Sequence, residues 1–227
     1  MSYAHELDRT LETYDLTWDI VAHDDLPGGV VAWLRVGPAS DMGSAIVTAD
    51  LIVEGGSSHA RVLNGEKQPL LLPRDFAVDG GAVERSVVVP ALAVVDVPLR
   101  PRRAQRCVAS RIAEARSLDI QAPASANGVA AVSSDGTVWI EVFPRRDDLC
   151  SILASRVDEP AAHRLDGAAA SFRAGVAVEE VAAARLARAT PVAATLGESF
   201  TIQSESIRGE VLLYGGRVAH LVARVLA

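Results

Sequence analysis

The sequence predicts a mixed α+β fold: a mostly antiparallel, β-rich N-terminal half, then Ala-rich helices and a closing β-hairpin in the C-terminal half. Three observations predict it. Hydrophobic residues make up 49% of the 227 residues but aromatics only 4%, so Val, Leu, Ile and Ala must fill the core, a composition that suits sheets with small-residue helices packed on them. Between Leu16 and Leu99 short β-type runs alternate with glycine-containing turns, the signature of successive antiparallel strands. Finally, the order strands, helices, strands favours α+β over a doubly wound sheet.

Ser2 can cap a short helix running to about Tyr14, with Leu7, Leu11 and Tyr14 on one face. The runs VVAWLRV, AIVTADLIV, ARVL, PLLL, FAV, RSVVV and ALAVVDV then read as strands. Gly28-Gly29, Gly55-Gly56, Asn64-Gly65 and Asp79-Gly80-Gly81 punctuate them, glycine supplying the backbone freedom that tight turns need. Pro101 suits the first turn of a helix over about 101–117, where Val108, Ile112 and Ala115 align. An Ala/Pro/Ser/Asn loop at 119–128 follows. It divides the chain into a β-rich region, 1–118, and a region of hairpin, helices and closing strands, 119–227, expected to pack as one compact unit.

In the second region VAAV, a Ser-Ser-Asp-Gly turn and TVWIEVF form a hairpin that puts Trp139 in a strand. Asp147 can cap the helix DLCSILASRV, and Ala-rich helical stretches follow around 160–174 and 177–189. FTIQSES, EVLLY and RVAHLVARVL close the chain in β-structure, the last two joined at Gly215-Gly216. There is no internal repeat.

A net charge of −7 and a pI near 5.2 repel a phosphate backbone, so nucleic acid is not an expected partner. The first residues lack the apolar core of a signal peptide, and no window reaches the run of apolar residues that a membrane span needs. The expectation is a cytoplasmic protein with no membrane partner. Cys107 and Cys150 show no disulfide-framework spacing, which fits free thiols in a reducing compartment.

Nucleophile-elbow, Walker, dinucleotide and zinc-protease motifs are all absent from the sequence. His5, His23, His59, His163 and His220 are scattered singly, without the short spacing of metal ligands, so neither a metal nor a cofactor is expected. Cys107 follows Arg102, Arg103 and Arg106, whose charge would favour a thiolate, but an apolar helix stripe accounts for it as well. The arginines themselves can hold a phosphate or simply form a solvated face. Lys67 and Gln68, between the Asn-Gly turn and three leucines, offer a mobile cation and a donor-acceptor pair suited to orienting a polar ligand. Ordinary turn residues would look the same.

Three segments resemble a known family. GEKQ, residues 65 to 68, is similar to the Gly-x-Lys-Gln of the ARPP-1 domain family, named for its association with ADP-ribosylglycohydrolases and with rhodanese- and phosphatase-superfamily proteins. The VDGGA turn and VVVPALAVVD follow at similar spacing. GTVWIEV, residues 136 to 142, resembles the family's Gly-x-Val-Trp strand, and GEVLLYGGRVAHL its closing Gly-Gly hairpin. The resemblance covers about two thirds of the chain and marks a divergent member. The family's Asn-Arg after Lys-Gln is replaced by Pro69-Leu70, and its Cys-Val-Glu strand end by Ala93-Val94-Val95, with Asp96 one step late. These departures remove a thiol and an arginine and shift a carboxylate, which argues against catalysis.

The resemblance implies ADP-ribose or nucleotide metabolism. The resulting expectation is a non-catalytic binding or interaction protein for an ADP-ribose-like or nucleotide ligand. Lys67 would meet a phosphate, Gln68 a base or sugar hydroxyl and Asp96 a ribose hydroxyl, while Trp139 walls the pocket. The alternatives are a hydrolase of an ADP-ribosyl or nucleotide substrate with Asp96 or Glu84 as general base, and a homo-oligomeric assembly protein paired through its Val-rich strands. Catalytic residues cannot be named from sequence alone.

Overall fold

The computed structural model describes residues 9–14, 16–26, 29–38, 43–44, 51–55, 58–78, 81–101, 122–133, 135–155 and 167–227. The cap expected at Ser2 lies outside them, as does the helix expected over 101–117, Cys107 included, apart from Pro101. Of the expected N-terminal helix, Leu11–Tyr14 forms one 3-10 turn.

The N-terminal half supplies β1 (Thr17–Leu26), β2 (Gly29–Gly37), β3 (Gly43–Ser44), β4 (Leu51–Gly55), β5 (His59–Asn64), β6 (Leu70–Leu72), β7 (Ala77–Val78), β8 (Gly81–Val83), β9 (Val87–Val89) and β10 (Val94–Arg100). The C-terminal half supplies β11 (Gly128–Ser133), β12 (Val138–Val142), α1 (Arg146–Ser155), α2 (Gly167–Ala183), β13 (Leu186–Arg188), β14 (Glu198–Gln203), β15 (Ile207–Tyr214) and β16 (Arg217–Val225). Among the described residues the protein is therefore mostly antiparallel sheet with few helices.

An eight-stranded sheet runs β1-β2-β11-β12-β16-β15-β14-β13, a five-stranded sheet β4-β5-β10-β8-β7 and a three-stranded sheet β3-β6-β9. The pairing of β3 with β6 is parallel. Strand β2 pairs with β11, so the large sheet draws on both sides of the 119–128 loop.

The centre of the large sheet is buried on both faces, which is why β2 and β11 read as continuous apolar runs. On β2, Val30, Ala32, Leu34 and Val36 face one cluster, while Val31 and Trp33 face another. Helix α2 covers the first face with Ala170, Ala174, Ala177, Val178 and Val181, a stripe of small residues at helical spacing. The other face receives the three-stranded sheet. Leu71 of β6 and Val88 of β9 enter its cluster fully buried, each contributing about 1.5–3 kcal/mol of transfer free energy. Strands β5 and β10 alternate exposed and buried residues over a separate core of Val62, Leu72, Val83, Val95 and Val97, as half-buried strands should.

Two helical expectations differ from the structure. Of the stretches expected at 160–174 and 177–189, residues 160–166 lie outside the described residues; the rest forms one helix, Gly167–Ala183, followed by β13. Gly175 is tolerated within that helix, and Leu186–Arg188 is pulled into the sheet by its ladder with β14, tertiary pairing overriding local propensity. Helix α1 begins at Arg146, placing Asp147 and Asp148 in the first turn, where a carboxylate is favourable. None of the helices among the described residues is long and apolar enough to cross a membrane.

Candidate functional site

The four side chains expected to share a pocket stand on three separate elements. Lys67 and Gln68 are exposed in the β5–β6 loop. The loop is held by a neighbour: fully buried Asn64 donates through Nδ2 to the carbonyls of Gln68 (3.0 Å), Val89 (3.3 Å) and Pro90 (2.9 Å), and its Oδ1 accepts from Glu66 N–H at 2.9 Å. The Asn of the Asn-Gly signal is thus a clamp between the loop and the end of β9. Asp96, exposed on β10, lies 3.6 Å from its cross-strand neighbour Arg61, a solvent-facing pair worth little. Trp139 on β12 is half-buried, with the Arg224 guanidinium 5.0 Å from its ring centre.

The structure gathers a different set of groups between the large sheet and the small ones. Strand alternation puts Glu141 of β12 and Glu210 of β15 on the face opposite α2, because their neighbours Ile140, Val142, Val211 and Leu213 belong to the helix-side core. Both pair across the ladder with Val222 of β16, so the two carboxylates flank the central strand in one row. His220 lies two residues along that strand. Its orientation depends on a register irregularity opposite Leu212/Leu213. Val218 and Leu221 both face the helix-side core, an odd spacing that strict alternation forbids. The bulge absorbs it by turning Ala219 and His220 to the same side, and bulges commonly re-aim side chains in this way.

The small sheets bring up the other half of the cluster. Arg74 follows β6 and Ser86 precedes β9, and the Leu72–Val87 register puts them side by side. Arg74 N–H donates to Ser86 Oγ at 3.0 Å. Ser86 Oγ is 2.7 Å from His220 Nδ1 and 3.1 Å from Glu210 Oε1, which also accepts Ser86 N–H at 3.1 Å. Arg74 Nη1 donates to Glu210 Oε2 at 3.0 Å. Behind the imidazole, His220 Nε2 stands 3.4 Å from Glu141 Oε1 without an aligned hydrogen bond among the described residues, and the Phe143 ring packs at 4.9 Å. Ser86, Glu141 and His220 are 3%, 5% and 1% exposed.

The single hydroxyl proton of Ser86 has two destinations. Given to Glu210, it requires His220 to donate from Nδ1. Given to His220 Nδ1, it leaves the ring proton on Nε2, 3.4 Å from the Glu141 carboxylate but not aligned with it. In that second arrangement hydroxyl, imidazole and carboxylate stand in series.

A cleft of about 300 Å³ opens onto this cluster, lined by Arg74, Arg85, Ser86, Arg100, Phe200 and Glu210 among others. A shallower one of about 680 Å³ adjoins it, with His59, Asp96, Thr190 and Val192 in its wall. Glu84 and Arg85 line both. Arg85 Nη1 donates to Thr190 O at 2.8 Å, and Arg100 pairs with Asp75. Of the four residues selected from sequence, Asp96 alone lines either of these clefts. Sequence reading passed over Arg74, Ser86, Glu141, Glu210 and His220. For Glu141, Glu210 and His220 the signal was a polar residue among apolar strand neighbours, as in VWIEV, EVLLY and VAHLV, since a buried polar group is more informative than a buried apolar one; Arg74 and Ser86, outside the strands, carried none. The chain matches no family model, no curated protein and no solved structure.

Proposed function

We propose that the protein binds a small anionic ligand of nucleotide or ADP-ribose type in the groove made by the two adjoining clefts. The observation that carries this reading is the sharing of Glu84 and Arg85 by both clefts, which sets the two side by side, with Arg74 and Arg100 in the smaller and Asp96 in the wider. Arg74, Arg85 and Arg100 suit phosphate oxygens, while Glu84 and Asp96 suit ribose hydroxyls. The size agrees with small-molecule sites, which commonly run from about 300 to 1,000 Å³. In this reading Asp96 keeps its expected role, Arg85 takes the one expected of Lys67, and Gln68 and Trp139 stand outside the groove.

Calorimetric titration with ADP-ribose and with common nucleotides tests the assignment, and an absence of heat at millimolar ligand refutes it. The same reading makes the chain a divergent ARPP-1 relative, α+β in class and cytoplasmic, working without a cofactor. A hydrolase using Asp96 or Glu84 as general base is the second reading, favoured by the position of both carboxylates on the wider cleft. Assembly into a homo-oligomer is a third, favoured by the exposed Leu92 just before β10 and Val94 at its start and checked by light scattering.

A further inference from the structure

The groove ends on a hydroxyl backed by an imidazole and then by a carboxylate, and ligand binding alone does not call for that order. We infer that Ser86 is a nucleophile and that the protein hydrolyses carboxylic esters bearing a negatively charged group. The inference rests on the groove as the place where such an ester binds. Ser86 lines the smaller cleft, with His220 Nδ1 at 2.7 Å to take its proton and the Glu141 carboxylate 3.4 Å from Nε2, where its negative charge, without an aligned hydrogen bond, favours the ring proton on that nitrogen and leaves Nδ1 open. The arrangement sits on rigid elements. His220 is aimed by the β16 bulge, and Arg74 N–H fixes the Ser86 oxygen from the far side.

The steps balance as an acyl transfer followed by hydrolysis. Ser86 Oγ attacks the ester carbonyl and forms an Oγ–C bond as its proton passes to His220 Nδ1. The tetrahedral intermediate collapses, the bond to the alcohol oxygen breaks, and the alcohol leaves with the proton from His220. Water then attacks the acyl-serine carbonyl, giving its proton to His220, and the second collapse returns a proton to Ser86 Oγ and releases the carboxylic acid. Ester and water thus become acid and alcohol, with no oxidant or metal required. Arg85 and Arg100, lining the cleft, favour the developing oxyanion and select a charged substrate. Glu210 Oε1 accepts Ser86 N–H and stands 3.1 Å from its hydroxyl; in the reactive tautomer, with the ring proton on Nε2, the Ser86 hydroxyl turns from Glu210 to His220 Nδ1. Glu141 acts through the imidazole as a positioning residue.

The wild-type chain is treated with diisopropyl fluorophosphate and mapped by peptide mass, and its turnover of p-nitrophenyl acetate and mono-p-nitrophenyl succinate is followed by nitrophenolate release. In the labelling reaction Oγ–P forms, P–F breaks and HF leaves. A modification on Ser86, with faster turnover of the anionic succinate, is expected. Turnover should be abolished in Ser86→Ala and fall by on the order of 100-fold or more in His220→Asn, with the circular dichroism of Ser86→Ala unchanged. Glu141→Gln should lower kcat and leave KM in place. No labelling together with no turnover above buffer overturns the inference, as does labelling at another residue or undiminished turnover by Ser86→Ala. ADP-ribose titration of Ser86→Ala separates this from the binding proposal: binding without any wild-type turnover leaves the groove and removes the nucleophile. Ser86-dependent turnover without ADP-ribose binding does the reverse.

Discussion

Arg74 Nη1 donates to Glu210 Oε2 at 3.0 Å, while the other oxygen of the same carboxylate accepts from Ser86 N–H and lies 3.1 Å from its hydroxyl. One side chain from the middle of β15 thereby fastens the three-stranded sheet to the large one. The Glu210 side chain is 16% exposed and that of Arg74 31%, so solvent screens the pair only partly. Replacing Glu210 by Ala strands a guanidinium and an amide N–H and should lower stability by about 2–3 kcal/mol, somewhat below the range for a fully buried pair. Urea unfolding checks this, and a midpoint unchanged from wild type would show that packing of Leu71 and Val88 alone holds the layers together.

The groove and the β5–β6 loop make opposite predictions for two cations. Removing Arg85, which lines both clefts, should weaken ADP-ribose binding by roughly 10- to 100-fold, the range for a lost hydrogen bond to a charged group. Lys67→Ala should leave affinity unchanged. Calorimetry on the two variants decides between the sites, and a loss confined to Lys67→Ala would restore the loop as the binding wall.

Asn64 is predicted to matter more than the residues it positions. Its side chain makes three donations and one acceptance with no solvent contact. Asn64→Ala leaves those carbonyls and the Glu66 amide to find other partners and should cost about 1–3 kcal/mol. Hydrogen exchange should report faster loss of protection in the β5–β6 loop and at the end of β9 than in β11 or β16, whereas uniform protection would contradict the clamp.

Gly209 precedes Glu210 in β15, where an added Cβ would sit 2.6 Å from Val222 O and 2.9 Å from Ala223 Cα. Both are backbone atoms of the adjacent strand and cannot swing aside. Gly209→Ala should therefore lower stability by about 1–3 kcal/mol through forced backbone shifts, measurable as a lower thermal midpoint. A neutral result would mean that β15 and β16 separate more readily than their ladder suggests.

Strands with a strong local signal were legible in the sequence. VVAWLRV is buried on both faces and reads as a continuous apolar run, ARVL and ALAVVDV show alternation, and Gly215 and Gly216 mark a turn in which both take positive φ, +61° and +73°. β13 was not legible, since its three residues follow an alanine-rich helix and acquire strand character only from the β14 ladder. The polar cluster was hidden for a different reason. Ser86 and His220 are separated by 134 residues, and their meeting depends on the stacking of two sheets and on a bulge of a single residue. Periodicity along one strand encodes neither. Asp96 stands exposed on β10, as the alternation of ALAVVDV indicates, whereas Trp139 lies beneath the Arg224 guanidinium and outside both clefts, a placement set by the neighbouring strand.

The placement of β16 bears on how the chain emerges from the ribosome. It is the most C-terminal strand described, yet it is seated between β12 and β15, so β12 is synthesised long before its neighbour and waits with an unsatisfied ladder edge. The nascent polypeptide can form the β1, β2, β11, β12 portion early, but the halves join only when the final hairpin is inserted between them. Such late, non-local pairing slows folding and leaves an aggregation-prone edge in the interval.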